Sequence, residues 1–372
     1  MFLTCEQKDL LNAARLASQA VNLNNSLPVL NNILLKAENK KLKFVATNLE
    51  ISIVTDIPAE IRNEGTLTIP ARLFSNYAQL LKPGPVKLQK GNQDNDLKIS
   101  QTNPPHILET TIKGISAEDF PSIPQTNKEA SFESSSADLL EAFSQVAFAA
   151  SKESVRPTLT GIFFQATKNQ LSIAATDSYR LAEKIIKLIS PPAKEYSFIL
   201  PTRAAFELIR ILEREKTKVK IDIAANQISF LYQNIEFTSR LIEGSYPDYT
   251  KNIPQKHITT IKIQKEELIT AVKRVKLFTD LNAVRLEIDT NKKLQISSEQ
   301  TQTGKEKAEI AAVITGAENS ITLNANYLLE ALAVLKGNEI SLELEGEAKI
   351  KPAILRSVKD TNYFHLVMPL KV

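Results

Sequence analysis

The sequence predicts an α+β fold made of three similar domains. The chain has 372 residues, of which 43% are hydrophobic, and roughly 100–200 residues per domain gives two to three domains. A fixed series of landmarks recurs at intervals of roughly 120–130 residues, which is a domain-sized period. Stretches with helical periodicity alternate with stretches of strand character, so we expect two helices packed on antiparallel sheet in each domain.

The first landmark of each copy is a pair of apolar runs joined by a short polar segment. The runs are rich in Leu, Ile, Val and Phe, and they have the length of strands. We therefore expect a β-hairpin in each copy. The three pairs span 30–35 with 42–48, 159–164 with 171–177, and 284–288 with 294–297.

The second landmark opens a helical pattern. Pro70 and Pro201 stand where the first helical residue is expected, a position that suits a residue without an N–H. Asn324 takes the third slot, where its side chain can cap the helix. Each copy then closes on an aromatic residue or Met followed by Pro, namely Phe120-Pro121, Tyr246-Pro247 and Met368-Pro369.

Apolar residues that recur at spacings of three and four predict six helices. Such spacing leaves one apolar stripe on each helix for a sheet to cover. The predicted helices are 7–21, 71–82, 137–152, 202–216, 265–279 and 325–336. Polar segments flanked by Pro then separate three domains, which we place at 1–125, 126–252 and 253–372.

Composition limits the cellular setting. The single cysteine, Cys5, excludes a disulfide within the chain and fits a reducing compartment. Neither a secretory signal nor a run near the roughly 18 apolar residues of a membrane span is visible. We therefore expect a cytoplasmic protein without a membrane partner. The net charge of +4 confines any nucleic-acid surface to a local region.

The sequence lacks the motifs of the common enzyme classes. The three histidines lie in different copies, and no Gly-x-Ser-x-Gly, phosphate-binding glycine loop or Cys/His zinc cluster is present. We therefore expect no cofactor, no metal and no catalysis. Asp177 could be a metal carboxylate or a strand-end residue that caps a turn. Asn48 occupies the matching slot of the first copy, which favours the turn.

Basic residues are concentrated on the predicted helices. A run of charges on a helix is often only its solvated face. The alternative is contact with phosphates of duplex DNA, which binds without recognising base sequence. Aromatic residues are 6% and Trp is absent, which argues against a reader of single strands. The candidate DNA-binding residues are Arg72, Lys152, Arg203, Arg210, Arg214, Lys273 and Lys276.

Several of these segments resemble the bacterial sliding clamp family. The resemblance rests on Thr-Asp-Ser-Tyr-Arg-Leu-Ala at 176–182, Glu-Gly-Ser-Tyr-Pro-Asp-Tyr at 243–249 and Val-Met-Pro-Leu at 367–370, and it covers essentially the whole chain. It implies the DNA clamp fold, with three similar domains per chain and a head-to-tail homodimer. The ring would have helices lining the hole, where Arg72 and Arg203 match basic positions of the family.

The resemblance also implies a pocket that binds short peptide motifs of partner proteins. The implied partners are the DNA polymerase III alpha subunit, the clamp loader complex, and other DNA polymerases and repair proteins that carry such motifs. Leu159, Leu181, Pro247, Val367 and Met368 would supply an apolar cleft, and Arg156, Arg180 and Asn324 would fix polar groups of the peptide. Core packing is the favoured alternative for any one apolar member taken alone, and less so for Met368 and Leu370 near the chain end. The implied pocket residues are Arg156, Leu159, Thr176, Ser178, Tyr179, Arg180, Leu181, Pro247, Asn324, Tyr327, Val367, Met368, Pro369 and Leu370.

The resemblance further places the dimer seam. The first domain near 106–111 is expected to meet the third domain near 273–278 and 299–307, with edge strands pairing across subunits. Two other functions compete with the clamp. One is a metal-dependent nuclease or hydrolase that uses Asp177, and the other is a protein-interaction scaffold that does not bind DNA.

Overall fold

The computed structural model describes most of the chain and bears out the α+β class. The described residues are 1–22, 27–91, 95–103, 106–123, 128–153, 155–213, 215–279, 281–302, 304–346 and 351–370. Across these ranges, six α-helices alternate with antiparallel strands. The order of strand, helix, hairpin, further strands, helix and final strands occurs three times, as the landmarks predict.

The first repeat contains two helices and nine strands within the described ranges. Its elements are β1 (Phe2–Glu6), α1 (Gln7–Ser18), β2 (Asn32–Glu38), β3 (Lys41–Thr47), β4 (Ile51–Pro58), β5 (Glu60–Asn63), β6 (Gly65–Pro70), α2 (Ala71–Leu80), β7 (Pro85–Lys90), β8 (Asp96–Asn103) and β9 (His106–Lys113).

The second and third repeats follow the same order. The second contains β10 (Ala130–Ser135), α3 (Ser136–Val146), β11 (Gly161–Ala166), β12 (Gln170–Thr176), β13 (Arg180–Lys187), β14 (Tyr196–Pro201), α4 (Thr202–Ile211), β15 (Lys218–Ile223), β16 (Gln227–Tyr232) and β17 (Ile235–Arg240). The third contains β18 (Thr259–Gln264), α5 (Lys265–Lys276), β19 (Ala283–Ile288), β20 (Leu294–Ser297), β21 (Lys307–Ile310), β22 (Ala312–Gly316), β23 (Asn319–Asn324), α6 (Ala325–Val334), β24 (Glu339–Leu344), β25 (Ala353–Ser357) and β26 (Tyr363–Val367).

Each predicted helix is present and shorter than expected. Helix α2 ends at Leu80 and its C-cap Leu81 is already extended. The predicted end at Lys82 was disfavoured, because a residue that precedes proline avoids the helical region. Helix α3 ends at Val146 and continues only as a 3-10 turn, Ala147–Ala149. The placement of Lys152 on this helix was therefore wrong, since Lys152 lies in the loop beyond the turn.

The helix starts differ in one respect from the prediction. Pro70 is the N-cap of α2 rather than its first residue, and Pro201 is the last residue of β14. A proline there still removes an N–H that the helix does not need. Asn324 caps α6 as predicted, because its side chain accepts from the backbone N–H groups of Asn326 at 2.9 Å and Tyr327 at 3.4 Å.

The strands form two compact units that do not follow the repeats. One unit, Met1–Ala137 with Glu207–Leu241, contains a five-stranded sheet, β5-β1-β7-β8-β9, and an eight-stranded sheet, β10-β15-β16-β17-β4-β3-β2-β6. The other, Asp138–Phe206 with Ile242–Val372, contains a nine-stranded sheet, β14-β11-β12-β13-β26-β25-β24-β18-β22, and a four-stranded sheet, β21-β20-β19-β23. Sheets thus run across both repeat junctions, through β17 with β4 and through β13 with β26. The boundaries at 125 and 252 stay a prediction.

The helices cover the sheets with apolar side chains. Helix α1 packs on β3 and β4 and beside α2, and it buries Leu10, Ala13, Ala14 and Ala17. Alanines let the helix axis lie close to the sheet, while burial of each larger apolar side chain contributes about 1.5–3 kcal/mol. The opposite side of α1, with Lys8, Asn12 and Arg15, is left to solvent.

Candidate functional site

The turn between β12 and β13 is held by its own side chains. Thr176 Oγ1 donates to the Arg180 carbonyl at 2.5 Å and accepts from the Ser178 N–H at 3.1 Å. Asp177 Oδ1 accepts from the N–H groups of Tyr179 at 2.9 Å and Arg180 at 3.0 Å. These bonds compensate for the left-handed backbone of Ser178, with φ of +79°.

The first repeat contains the same turn between β3 and β4. Thr47 Oγ1 donates to the Ile51 carbonyl at 2.9 Å and accepts from the Leu49 N–H at 3.0 Å. Asn48 Oδ1 accepts from the N–H groups of Glu50 at 3.0 Å and Ile51 at 2.8 Å. The shared geometry supports the turn role of the Asp177 slot over a metal role. No group of three or more His, Cys, Asp or Glu side chains in the described ranges could hold a metal ion.

The guanidinium of Arg180 is buried and has several internal partners. Its Nε donates to Asp177 Oδ2 at 3.0 Å, its Nη1 to a carboxylate oxygen of Glu330 on α6, and its Nη2 to the Phe148 carbonyl at 2.7 Å. The group also lies over the ring of Tyr327, 4.5 Å from the centroid. These bonds use three of the five N–H donors of the guanidinium, and they tie the turn to α6. That Arg180 also fixes polar groups of a bound peptide stays a prediction.

An apolar floor lies beside this turn. Leu181 on β13 faces Leu366 on β26, which in turn faces Ile354 on β25, and all three are buried. Met368 packs against this cluster from the chain end. The cluster also contains Ala174, Tyr249 and Phe364, with Phe163, Tyr246 and Ile253 packed against it.

Aromatic residues that sequence reasoning missed support the floor. Tyr246 stacks on Phe163 with centroids 5.1 Å apart, and its hydroxyl accepts from the Thr176 N–H at 3.1 Å. Burial raises the pKa of the Tyr246 hydroxyl, so it remains protonated. The Tyr-Pro landmark marked this position in the sequence, but it gave no sign that the ring would meet Phe163 of another strand.

The end of the chain lies beside the turn and the apolar floor. The Met368 N–H donates to the Tyr179 carbonyl at 2.8 Å, and the Leu370 N–H to the Thr322 carbonyl at 2.8 Å. Met368, Pro369 and Leu370 are half-buried, whereas Val367 is fully buried. The structure thus brings residues 176–181 together with Met368, and the surface beside Tyr179 and Met368, over the apolar floor, is called the apolar groove.

The remaining predicted pocket residues divide between surface and core. Arg156, Ser178, Tyr179 and Pro247 are exposed, with Tyr179 at 64%. Leu159 is buried, which agrees with the core-packing alternative. Tyr327 lies under Arg180, and burial, with the negative charge of Asp177, raises the pKa of its hydroxyl.

The candidate DNA-binding residues occupy solvent-facing positions. Arg72 on α2, Arg203 and Arg210 on α4, and Lys273 on α5 are exposed, whereas Lys276 is half-buried. Arg210 Nη1 forms an ion pair with Glu207 at 2.8 Å on its own helix. Arg214 lies outside the described residues. None of the helices within the described ranges is long and apolar enough to cross a membrane.

Comparison with known proteins gives matches over the whole chain. Three family models match in order: the N-terminal domain of the DNA polymerase III beta subunit at 1–124, the central domain at 134–248 and the C-terminal domain at 250–371. The curated beta sliding clamp of Bacillus subtilis (strain 168) is 30% identical, with 100% of each chain covered. That of Synechococcus elongatus is 28% identical, also with 100% of each covered.

Solved structures show the same likeness. The DNA polymerase sliding clamp of Bacillus subtilis superposes with a TM-score of 0.93 at 29% identity, covering 100% of this chain and 99% of that one. The sliding clamp of Pseudomonas aeruginosa bound to griselimycin gives a TM-score of 0.93 at 23% identity, with 100% of both chains covered. The latter likeness is one of fold.

Proposed function

The chain belongs to the DNA polymerase III beta subunit family and is a sliding clamp, and we propose that two copies close head to tail into a ring around duplex DNA. The observation that carries this proposal is the threefold repeat, matched in order by all three domain models of the family. A ring would hold DNA by topology, so it needs neither high affinity nor base recognition. It would raise the effective concentration of a polymerase at the primer end, without catalysis or a cofactor.

Two open sheet edges support the head-to-tail dimer. Strand β9 is the last strand of the five-stranded sheet, and β21 is the last strand of the four-stranded sheet. Such edges expose backbone groups that a second chain can pair. Near them, Ile107 is 74% exposed and Leu277 is 78% exposed. A contact between two different surfaces must close into a ring or extend into a filament, and two copies of three domains would close.

The exposed arginines support weak contact with the duplex. Arg72, Arg203 and Arg210 can neutralise phosphates and release counterions, which needs no base contacts. The ion pair of Arg210 with Glu207 is exposed on the arginine side and is worth about 0–1 kcal/mol, so a phosphate can compete for it. The salt dependence of duplex binding decides between phosphate contact and a merely solvated helix face.

The groove beside Tyr179 and Met368 is proposed to bind peptide motifs of partners. Met368 lies on an apolar floor, and a flexible thioether adapts to varied side chains. The proposed partners are the polymerase III alpha subunit, the clamp loader complex, and other polymerases and repair proteins with such motifs. We place the protein in the cytoplasm, where these partners meet chromosomal DNA.

Primer extension tests this function. Polymerase and clamp loader on primed circular DNA, with excess trap DNA, are expected to give long products only when the protein is present. Leu277→Asp places a charge at the proposed seam and should shorten the products to the length seen when the protein is omitted. Ile189→Asp changes another exposed apolar residue and should leave product length unchanged. Products of the same length with and without the protein would overturn the proposal.

A further inference from the structure

A second groove occupies the equivalent place in the first compact unit. A cavity of about 560 Å³ lies beside the Thr47–Ile51 turn, and its lining includes Leu49, Ser52, Pro121, Thr238 and Arg240. All of these residues belong to the unit Met1–Ala137 with Glu207–Leu241. The cavity is therefore a feature of one unit, and it forms where β4 of the first repeat pairs with β17 of the second.

The backbone of this groove matches that of the groove at Met368. The Arg240 N–H donates to the Glu50 carbonyl at 2.9 Å, just as the Met368 N–H donates to the Tyr179 carbonyl at 2.8 Å. One residue earlier, Ser239 faces Ile51 as Val367 faces Arg180. The register therefore assigns Glu50 to the Tyr179 slot and Arg240 to the Met368 slot.

The floors of the two grooves have opposite chemistry. The facing pair Leu181 and Leu366 is replaced by Ser52 and Thr238. The next cross-strand neighbour, Ile354 in one groove, is Ser229 in the other. The Ser229 and Thr238 hydroxyl oxygens lie 2.9 Å apart. Ser52 and Thr238 line the cavity, whereas Ser229 lies beneath Thr238 and is only 1% exposed. The floor thus offers hydroxyl-bearing side chains where the other groove has leucines, and a polar occupant can form hydrogen bonds with them.

The lining of the second groove carries charges of both signs, from Glu50, Glu129 and Arg240. Glu50 and Arg240 are both exposed, and their backbones are hydrogen-bonded to each other. Across the described residues, neither side chain takes part in an ion pair. Both charges are thus available to a ligand that carries the complementary pair.

We propose that this hydroxyl-floored groove is a second docking site, which binds an extended polar peptide segment with an acidic side chain toward Arg240 and a basic one toward Glu50. The backbone frame is that of the apolar groove, while the side chains select a different occupant. A partner that holds the apolar groove with one segment could thereby engage the same chain with another. The proposal depends on the repeat and not on the apolar groove being the site for partner peptides.

Disulfide capture can test the two grooves against each other. Leu49 and Ser178 occupy equivalent turn positions with φ of +73° and +79°, and both are exposed. Leu49→Cys and Ser178→Cys therefore form a matched pair of tethers. Cys5 is no competitor, because burial raises the pKa of its thiol to about 12 and keeps it protonated.

The probes are two seven-residue peptides that end in cysteine. The polar peptide consists of serine and threonine with one glutamate and one lysine, and the apolar peptide consists of leucine, phenylalanine and serine. In redox buffer, we expect the polar peptide to be captured preferentially by Leu49→Cys and the apolar one by Ser178→Cys. Adding Arg240→Glu should lower the first capture about fivefold and leave the second unchanged, as an exposed charge contact predicts. Equal capture of both peptides by Leu49→Cys, or no effect of Arg240→Glu, would overturn the proposal.

Discussion

Arg180 Nε lies 3.0 Å from Asp177 Oδ2, and this ion pair is missing from the equivalent turn, where Ile51 and Asn48 stand instead. The two turns otherwise share four hydrogen bonds. A carboxylate that is largely buried needs a cation, whereas an amide does not. With Asn48 and Ile51 in place of Asp177 and Arg180, the turn of the first repeat therefore keeps its hydrogen bonds but lacks the arginine that ties the other turn to α6.

This pairing predicts coupled effects on stability. Arg180→Ile should lower the free energy of unfolding by about 3–5 kcal/mol, because it leaves the Asp177 carboxylate without its partner. Adding Asp177→Asn should recover about 1–3 kcal/mol of that decrease, as expected for contacting residues. Urea unfolding of the two single variants and the double variant measures the coupling. Strictly additive decreases would show that the pair contributes nothing of its own.

The groove beside Met368 predicts a separation of functions. Met368→Ala and Tyr179→Ala should each weaken binding of a partner's clamp-binding peptide by about 2 kcal/mol, or roughly thirtyfold, because both contribute contact surface. Anisotropy of a labelled peptide measures this change in affinity. Leu49→Ala, at the equivalent turn of the other unit, is the control and should bind normally. The idea fails if the control and the groove variants weaken binding equally.

The exposed arginines predict salt-dependent binding to DNA. Binding of a short linear duplex should weaken when Arg72, Arg203 and Arg210 are changed to Glu. The slope of log K against log salt concentration should decrease by about 0.9 for each phosphate that is no longer neutralised. Lys87→Glu on β7 alters another exposed cation, away from the helices, and should leave the slope unchanged. An unchanged slope in the triple variant would favour the solvated-face alternative.

The buried imidazole of His365 predicts acid sensitivity. Burial, with the positive charge of Arg180, lowers the pKa of His365 from 6.5 to about 3. Between pH 6.5 and 3, His365 is therefore protonated in the unfolded chain and neutral in the folded chain. The free energy of unfolding decreases as the pH falls through this range, by up to about 1.4 kcal/mol per pH unit. In urea unfolding between pH 4 and 6.5, the His365→Leu variant should lack this decrease in the free energy of unfolding. Identical pH slopes for both proteins would contradict it.

Local patterns predicted more of the fold than of the site. The hairpins and six helices follow from periodicity. The presence of Asn48 at the position equivalent to Asp177 correctly predicted a turn there. Lys152 was misplaced because helical periodicity does not distinguish an α-helix from the 3-10 turn that follows α3. The burial of Arg180 was not predictable, since Phe148 and Glu330, which occupy its donors, are brought to it only by the fold.

The stacking of Phe163 on Tyr246 and the hydroxyl floor at Ser52 and Thr238 depend on strand register in the same way. The register between strands that are distant in the chain is set by tertiary packing, and no periodicity in the sequence reveals it. For that reason the repeat was visible in the sequence, while the contrast between its two grooves was not.

The central claim is that a closed ring holds DNA by topology. The protein, loaded onto a nicked circular plasmid and separated from free protein, should remain bound at a salt concentration that abolishes binding to a linear duplex. Cutting the plasmid once should release it within the time of sliding to an end, and blocking both ends with streptavidin should prevent release. Retention on the cut plasmid with open ends would contradict the ring.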